Sequence, residues 1–126
     1  MIGYVTLGTN DFERATAFYD SLLAELGAKR FDASDHYVYW GKRLGSPMLA
    51  VYKPHDGKPA TVGNGVMVAF GVRARDQVQA VHRHALGLGA TDEGAPGNRG
   101  ETFYGAYMRD LDGNKLCVFT YEPASA

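Results

Sequence analysis

The fold is decided by residues 2–27, IGYVTLGTNDFERATAFYDSLLAELG, which predict a strand that leads directly into an amphipathic helix. The first part of this stretch is rich in β-branched and aromatic side chains, which is typical of a strand. Asn10 is a good N-cap, and Glu13 follows it at the spacing of a capping box. Apolar side chains then recur at helical spacing, so a helix is expected over 11–26, with Gly27 ending it.

Further apolar stretches along the chain predict more strands and a second helix. The expected strands cover 28–31, 36–41, 47–53, 65–72, 101–110 and 115–121, and the second helix covers 76–88. Residues 54–64 contain two prolines and two glycines and therefore predict a linker, whereas residues 93–100 predict a glycine-rich loop.

The two halves of the chain share the same landmarks. Leu26-Gly27-Ala28 closes the first predicted helix, and Leu88-Gly89-Ala90 closes the second. Val5-x-Leu7-Gly8 opens one half, and Val68-x-Phe70-Gly71 opens the other. Internal similarity of this kind indicates two copies of one structural unit.

The repeat predicts an α+β fold of two tandem βαβββ modules, each with a mixed, largely antiparallel sheet. We expect one domain over 1–126, with module one at 1–53, the linker at 54–64 and module two at 65–122. A single ferredoxin-like sandwich with an additional hairpin is the alternative. The matching helix ends favour the two-module interpretation.

The composition argues against several classes of protein. The 126 residues carry a formal net charge of −1, so no charge excess attracts the chain to nucleic acid or a membrane surface. No apolar run approaches the ~18 residues that span a bilayer, and the chain starts with a strand pattern instead of a secretory signal. Cys117 is the single cysteine, so it forms no internal disulfide and no cysteine-based metal site by itself. A reducing, cytoplasmic location is expected.

Two motifs resemble those of the vicinal oxygen chelate superfamily, which includes glyoxalases, bleomycin-resistance proteins and dioxygenases. The opening motif is Val5-Thr6-Leu7-Gly8-Thr9-Asn10-Asp11, followed by Arg14, Ala15, Phe18 and Tyr19. The closing motif is Arg109-Asp110-Leu111-Asp112-Gly113-Asn114-Lys115-Leu116, in which Leu111 replaces the family's proline. Its Asp-Gly-Asn segment also predicts a tight turn by itself. The resemblance implies paired modules in an open, curled mixed sheet, with the helices on its outer face and the active site in the concave interior.

Many members of that superfamily hold a divalent metal through His, Glu or Gln on the first and last strand of each module. The resemblance and the period of two in a strand place those positions at Tyr4, Met67, Cys117, and Ala50 or Tyr52. These residue types do not suit a first-row divalent ion, so we expect no metal and no cofactor. A soft-metal site through Met67 and Cys117 is the alternative, although two sulfurs in an apolar cavity usually only pack.

The histidines suggest no other metal site. His82 and His84 are two residues apart on the second predicted helix, so they point to different faces and are expected at the surface. His36 begins a predicted strand and His55 lies in the linker, and both are expected to be solvated.

Without a metal, the concave face would carry apolar and aromatic side chains with a few hydroxyls, which is typical of small-molecule pockets. The candidate ligand-binding residues are Tyr4, Thr6, Tyr52, Met67, Cys117 and Phe119, with Trp40, Tyr104 and Arg109 as neighbours at the rim. Arg109 has the geometry to pair with a ligand carboxylate or phosphate, and an ion pair with Asp110 or Asp112 is the alternative.

Three functions fit this interpretation. The first is metal-independent binding of a small, partly apolar or aromatic molecule. The second is catalysis in which Cys117 or Tyr4 acts as nucleophile or acid, with a buried, inert thiol as the alternative for Cys117. The third is a metal-dependent, glyoxalase-like lyase, which requires a different strand register. The resemblance also implies a homodimer.

Overall fold

A computed structural model describes residues 1–121 of the chain. Within them the order of elements is β1 (Tyr4–Gly8), α1 (Phe12–Glu25), β2 (Lys29–Ala33), β3 (Tyr37–Gly41), β4 (Met48–Tyr52), β5 (Val68–Gly71), α2 (Arg75–Gly87), β6 (Thr91–Asn98), β7 (Phe103–Arg109) and β8 (Lys115–Tyr121). The end of the second predicted module, at residue 122, lies outside the described residues. Neither described helix is both long and apolar enough to cross a membrane.

The chain divides into two compact units, Met1–Val62 and Gly63–Ala126, so the division falls within the predicted linker. The first unit holds a four-stranded sheet in the order β1-β4-β3-β2, and the second holds one in the order β5-β8-β7-β6. In each sheet the first strand of the unit pairs in parallel with its last strand, and the other pairs are antiparallel. The predicted α+β fold of two βαβββ modules is therefore confirmed.

Helix α1 packs on one face of the first sheet. Its buried side chains are Ala15, Thr16, Phe18, Tyr19, Leu22 and Leu23. The sheet contributes Leu7, Val38, Trp40, Leu49 and Val51, which alternate with side chains on the opposite face. The rings of Tyr19 and Trp40 lie 5.8 Å apart at their centroids, so the indole belongs to this core.

Helix α2 covers the second sheet in the same way, and its buried side chains are Val78, Val81, His82 and Ala85. The expected surface position of His82 is wrong, because its side chain is buried and its Nε2 lies 3.1 Å from Asp92 Oδ1. The partner on β6 satisfies a polar group that would otherwise be costly to bury. His36 is solvated as expected, with more than half of its side chain exposed.

The start of α1 differs from the prediction. Asp11, and not Asn10, is the N-cap, and its side chain accepts a hydrogen bond from the Arg14 backbone N–H. Asn10 instead pairs with the linker, because its side chain donates to the Ala60 carbonyl at 3.0 Å and accepts from the Ala60 N–H at 2.6 Å. This pair holds residues 54–62 against the end of β1, where Gly8 has no Cβ to obstruct Ala60.

The glycine-rich stretch 93–100, which was predicted to be a loop, lies mainly in β6. Its pairing with β7 is interrupted by two register shifts, and such irregular pairing leaves no regular alternation in the sequence. Arg99 supports the strand, since its guanidinium donates to the carbonyls of Ala95, Gly97 and Gly105 at 2.7–2.9 Å. The edge position of β6 also tolerates Pro96, which cannot donate to a ladder.

The hairpin between β7 and β8 confirms the predicted turn. The buried Asp110 carboxylate accepts hydrogen bonds from the backbone N–H groups of Asp112 and Asn114, each at 2.9 Å. Gly113 has a φ of 92°, a conformation that favours glycine. These residues therefore shape the turn, as their sequence pattern indicates.

Candidate functional site

Four tyrosines lie on the face of the first sheet that α1 does not cover. Tyr37 is directly opposite Tyr52 across the β3–β4 pair, and Tyr4 is opposite Met48 across the β1–β4 pair. Tyr39 and Tyr37 share a face because they are two residues apart on β3. We call the surface formed by Tyr4, Tyr37, Tyr39 and Tyr52 the tyrosine face.

The rings of the tyrosine face contact one another in a fixed pattern. Tyr39 meets Tyr4, Tyr37 and Tyr52 edge-on, with centroid distances of 5.1, 5.5 and 5.8 Å. Tyr37 and Tyr52 are stacked at 5.3 Å. The hydroxyls of Tyr39 and Tyr52 form a hydrogen bond with each other. Mutual contacts of this kind hold the rings in defined orientations.

A β-bulge adds two more side chains to this face. Arg30 pairs with Trp40 and Asp32 pairs with Tyr39, so Phe31 is an extra residue between them. Strict alternation would send Phe31 and Asp32 to opposite faces, but the bulge allows both to line one pocket. Gly41 makes room for Phe31, because a Cβ there would lie 3.2 Å from the phenyl ring.

Two pockets adjoin on this side of the first unit, and Tyr52 lines both of them. The first, which we call the aromatic pocket, has a volume of about 290 Å³. It is lined by Tyr4, Phe31, Asp32, Tyr37, Tyr39, Met48 and Tyr52. The second, of about 420 Å³, lies between the end of β1 and residues 54–61, and its lining includes Thr6 and His55. The aromatic pocket is at the small end of the range for ligand pockets, so it suits a small molecule.

Two phenols of the tyrosine face, those of Tyr37 and Tyr39, stay protonated at neutral pH because their pKa values are raised. Tyr37 donates to Asp32 Oδ2 at 3.2 Å, and the nearby carboxylate raises the pKa of this phenol. The pKa of Tyr39 is also raised, mainly by its hydrogen bond with Tyr52 and then by burial. These hydroxyls therefore act as hydrogen-bonding groups and not as a general base near pH 7.

The face of the second sheet that α2 does not cover differs from the tyrosine face, because it holds a buried thiol. Cys117 is fully buried opposite Tyr107, and burial raises the pKa of its thiol, although Tyr107 and the charges of Arg99 and Lys115 oppose the rise. A thiol held in the protonated form is a poor nucleophile. Phe119 stacks on Phe103 with a centroid distance of 5.2 Å.

Arg109 is engaged on the same face of the second sheet. Its Nε lies 2.9 Å from Glu93 Oε1, and one of its terminal nitrogens donates to the Gly113 carbonyl at 2.9 Å. Lys115 Nζ lies 3.6 Å from the same Glu93 oxygen. Arg109 thus forms an ion pair with Glu93, whereas Asp110 or Asp112 was the expected alternative partner. Arg109 and Lys115 hold the pKa of Glu93 below its usual range.

The candidate residues from the sequence are distributed over the two sheets. Tyr4, Thr6 and Tyr52 lie on the exposed side of the first sheet, whereas Cys117, Phe119 and Arg109 lie on the helix-free face of the second. Met67 precedes β5 and is 43% exposed.

The expected rim positions of Trp40 and Tyr104 are wrong. Trp40 is buried against α1, and the Tyr104 hydroxyl accepts a hydrogen bond from Gln79 of α2 at 2.9 Å. Both side chains alternate with residues of the helix-free faces, so they point the other way. They complete the helix–sheet cores of their units.

Sequence reasoning missed five of the residues that line the aromatic pocket: Phe31, Asp32, Tyr37, Tyr39 and Met48. The alternation of Tyr37 and Tyr39 with apolar Val38 and Trp40 was an available signal for the two tyrosines. No sequence signal marked the bulge at Phe31. Between residues 1 and 121, no group of three or more His, Cys, Asp and Glu side chains is arranged to hold a metal ion.

Comparison with known proteins identifies the family. Residues 4–119 match the family of glyoxalase-like domains. A glyoxalase/bleomycin resistance protein from Albidiferax ferrireducens T118 is 35% identical, with a TM-score of 0.87 over 97% of this chain and 99% of that chain. No curated protein matches this chain.

More distant solved structures share the fold. A glyoxalase/bleomycin resistance protein/dioxygenase family enzyme from Burkholderia phytofirmans PsJN is 18% identical, with a TM-score of 0.77 over 95% of this chain and 98% of that chain. Lactoylglutathione lyase from Agrobacterium tumefaciens is 20% identical, with a TM-score of 0.69 over 95% of this chain and 92% of that chain. At these identities the likeness shows the fold alone. Because the family match spans nearly the whole chain, this protein belongs to the glyoxalase-like domain family of the vicinal oxygen chelate superfamily.

Proposed function

We propose that this protein binds a small, partly aromatic molecule on the tyrosine face and does so without a metal ion. The observation that carries the proposal is the aromatic pocket of about 290 Å³, in which four tyrosines and one phenylalanine form most of the wall. Aromatic walls with a few polar groups are typical of sites that bind small organic ligands. The ligand would stack on the rings and accept or donate hydrogen bonds at the phenols.

Independence from metal is supported by the donor set. The resemblance places ligand positions at Tyr4, Met67, Cys117 and Ala50 or Tyr52, and these offer phenols, a thioether and a thiol whose pKa is raised by burial. Divalent first-row ions prefer imidazole and carboxylate, and thiols must lose their proton to bind. The side chains at these positions therefore do not fit such an ion.

The alternative function is a metal-dependent, glyoxalase-like lyase or a related enzyme of the superfamily. Family membership favours it, since the superfamily includes lyases and dioxygenases. Catalysis by Cys117 has less support, because burial disfavours the thiolate. Tyr4 remains a candidate acid because its ring is about half exposed at the aromatic pocket. Homodimer formation and a cytoplasmic location are also proposed from the resemblance and the single cysteine.

A thermal-shift screen of small aromatic and amphipathic molecules tests the proposal. The protein is first stripped with EDTA and checked by elemental analysis. We expect a subset of aromatic compounds to raise the melting temperature, since a ligand that binds only the folded state stabilises it. Tyr39→Leu should abolish these shifts, and Tyr121→Leu, which removes an exposed tyrosine from the second sheet, should leave them unchanged. Stoichiometric Zn, Ni or Mn in the purified protein, together with shifts that need the metal, would support the lyase instead.

A further inference from the structure

The aromatic pocket contains an unusual combination of groups. Five of its seven lining residues are aromatic, one is Met48, and the remaining one is Asp32. No lysine or arginine contributes to this lining. The pocket therefore combines the electron-rich faces of several rings with one negative charge, which is the environment that favours a positive group on a ligand.

Asp32 is held in place without a cationic partner. Its Oδ1 accepts a hydrogen bond from the Ala33 N–H at 2.9 Å, and its Oδ2 accepts one from the Tyr37 hydroxyl at 3.2 Å. Within residues 1–121, no lysine or arginine forms an ion pair with this carboxylate. Both of its contacts are neutral donors, so its negative charge is oriented but not compensated.

Two cations near this part of the chain are engaged elsewhere. Arg30, which precedes the bulge, makes two hydrogen bonds to Asp20 at 2.8 and 2.7 Å on the helix side of the sheet. Lys53, which follows β4, lies over the ring of Phe12 at 5.3 Å. The bulge thus separates the charges of neighbouring residues, since Arg30 is directed to α1 and Asp32 to the tyrosine face.

We infer that the ligand of the aromatic pocket carries a small organic cation, such as an alkylated ammonium group, which contacts the tyrosine rings and pairs with Asp32. This inference rests on the proposed function and specifies its ligand class. Ring faces of Tyr4, Tyr37, Tyr39 and Tyr52 supply cation–π attraction, and Asp32 supplies the opposite charge. An anionic ligand is disfavoured because it would face an uncompensated carboxylate.

A matched pair of probes tests the charge requirement. Choline carries a trimethylammonium group, and its neutral carbon isostere carries a tert-butyl group of the same shape. Binding to the full chain is measured by NMR chemical-shift titration at neutral pH and low salt. We expect choline to bind at least roughly threefold more tightly than the isostere, which corresponds to a cation–π or ion-pair contribution at a partly exposed site.

Two variants locate the effect. Asp32→Asn keeps the shape and the hydrogen-bond acceptor, so it should weaken choline binding roughly two- to fivefold and leave the isostere unchanged. Asp35→Asn is the matched control, because Asp35 is an exposed neighbour that pairs with His36 and does not line the pocket. It should leave both affinities unchanged.

The outcomes separate this inference from the proposed function. If choline and the isostere bind equally and Tyr39→Leu weakens both, the pocket is a ligand site but the cation inference is wrong. If neither probe binds, the cation inference is also wrong, and the screen of aromatic compounds decides the proposed function separately. Choline binding that survives Asp32→Asn at full strength would likewise overturn the inference.

Discussion

The Trp40 indole N–H donates a hydrogen bond of 2.8 Å to Asp20 Oδ1, which ties β3 to α1. Trp40 is fully buried, whereas Asp20 is partly exposed and also binds Arg30. A buried indole N–H needs a partner, and Asp20 supplies it on the helix. The indole that the sequence suggested for the ligand site is therefore part of the structural core.

Trp40→Phe should reduce the free energy of unfolding by about 1–3 kcal/mol, because it removes the N–H partner of Asp20 and leaves a gap in the core. Urea denaturation followed by circular dichroism measures the change. Tyr37→Phe, a change on the opposite face of the same strand, should cost much less. Equal losses in the two variants would contradict the assignment of Trp40 to the core.

The contribution of Asp20 to stability should depend on pH. The hydrogen bond from Arg30 is the main cause that lowers the pKa of Asp20 in the folded state, with Trp40 acting in the same direction. A lowered folded pKa means that the stabilisation is complete above the unfolded value of about 4 and is lost as the pH falls through the folded pKa. The difference in unfolding free energy between wild type and Asp20→Asn should be largest near pH 7 and shrink below pH ~4. A difference that does not change between pH 7 and pH ~2 would contradict this account.

Cys117 should be unreactive in the native protein. Its side chain is fully buried and burial raises its pKa, so little thiolate is available to attack a reagent. Labelling with a disulfide reagent at pH 8 should be slow in buffer and fast in denaturant. Rapid native labelling that a ligand blocks would instead favour the enzyme mechanism that uses this thiol.

Gly41→Ala should weaken ligand binding at the aromatic pocket. A methyl group there would lie 2.7 Å from Met48 Cγ and 3.2 Å from the Phe31 ring, and both side chains line the pocket. Their displacement should reduce affinity roughly fivefold, or about 1 kcal/mol. Titration with any compound found in the screen measures the change. Gly3→Ala is the control, since its methyl would meet no described atom within 4 Å outside its two chain neighbours.

The sequence predicts the modules better than the site. Local signals are sufficient for the C-terminal ends of the two helices, because Gly27 and Gly89 adopt φ values of 81° and 104° as the repeat suggests. They are also sufficient for the turn at Gly113. Each of these features depends on residues that are close in the chain.

The parts that the sequence did not predict depend on contacts between distant segments. The position of the Phe31 ring at the bulge depends on space beside Gly41 and Met48, which lie on two other strands. The strand β6 pairs with β7 through an irregular register that leaves no period of two. Trp40 was misplaced for a different reason, since the alternation within β3 already assigns it to the helix side.

The most direct test of the central claim is an NMR titration of the EDTA-treated protein with a compound from the screen. The account predicts that ring signals of Tyr4, Tyr37, Tyr39 and Tyr52 shift together with one dissociation constant, and that added Zn²⁺ or Mn²⁺ does not change it. Shifts that appear only after metal is added, or that are confined to Tyr107 and Phe119 of the second sheet, would contradict it.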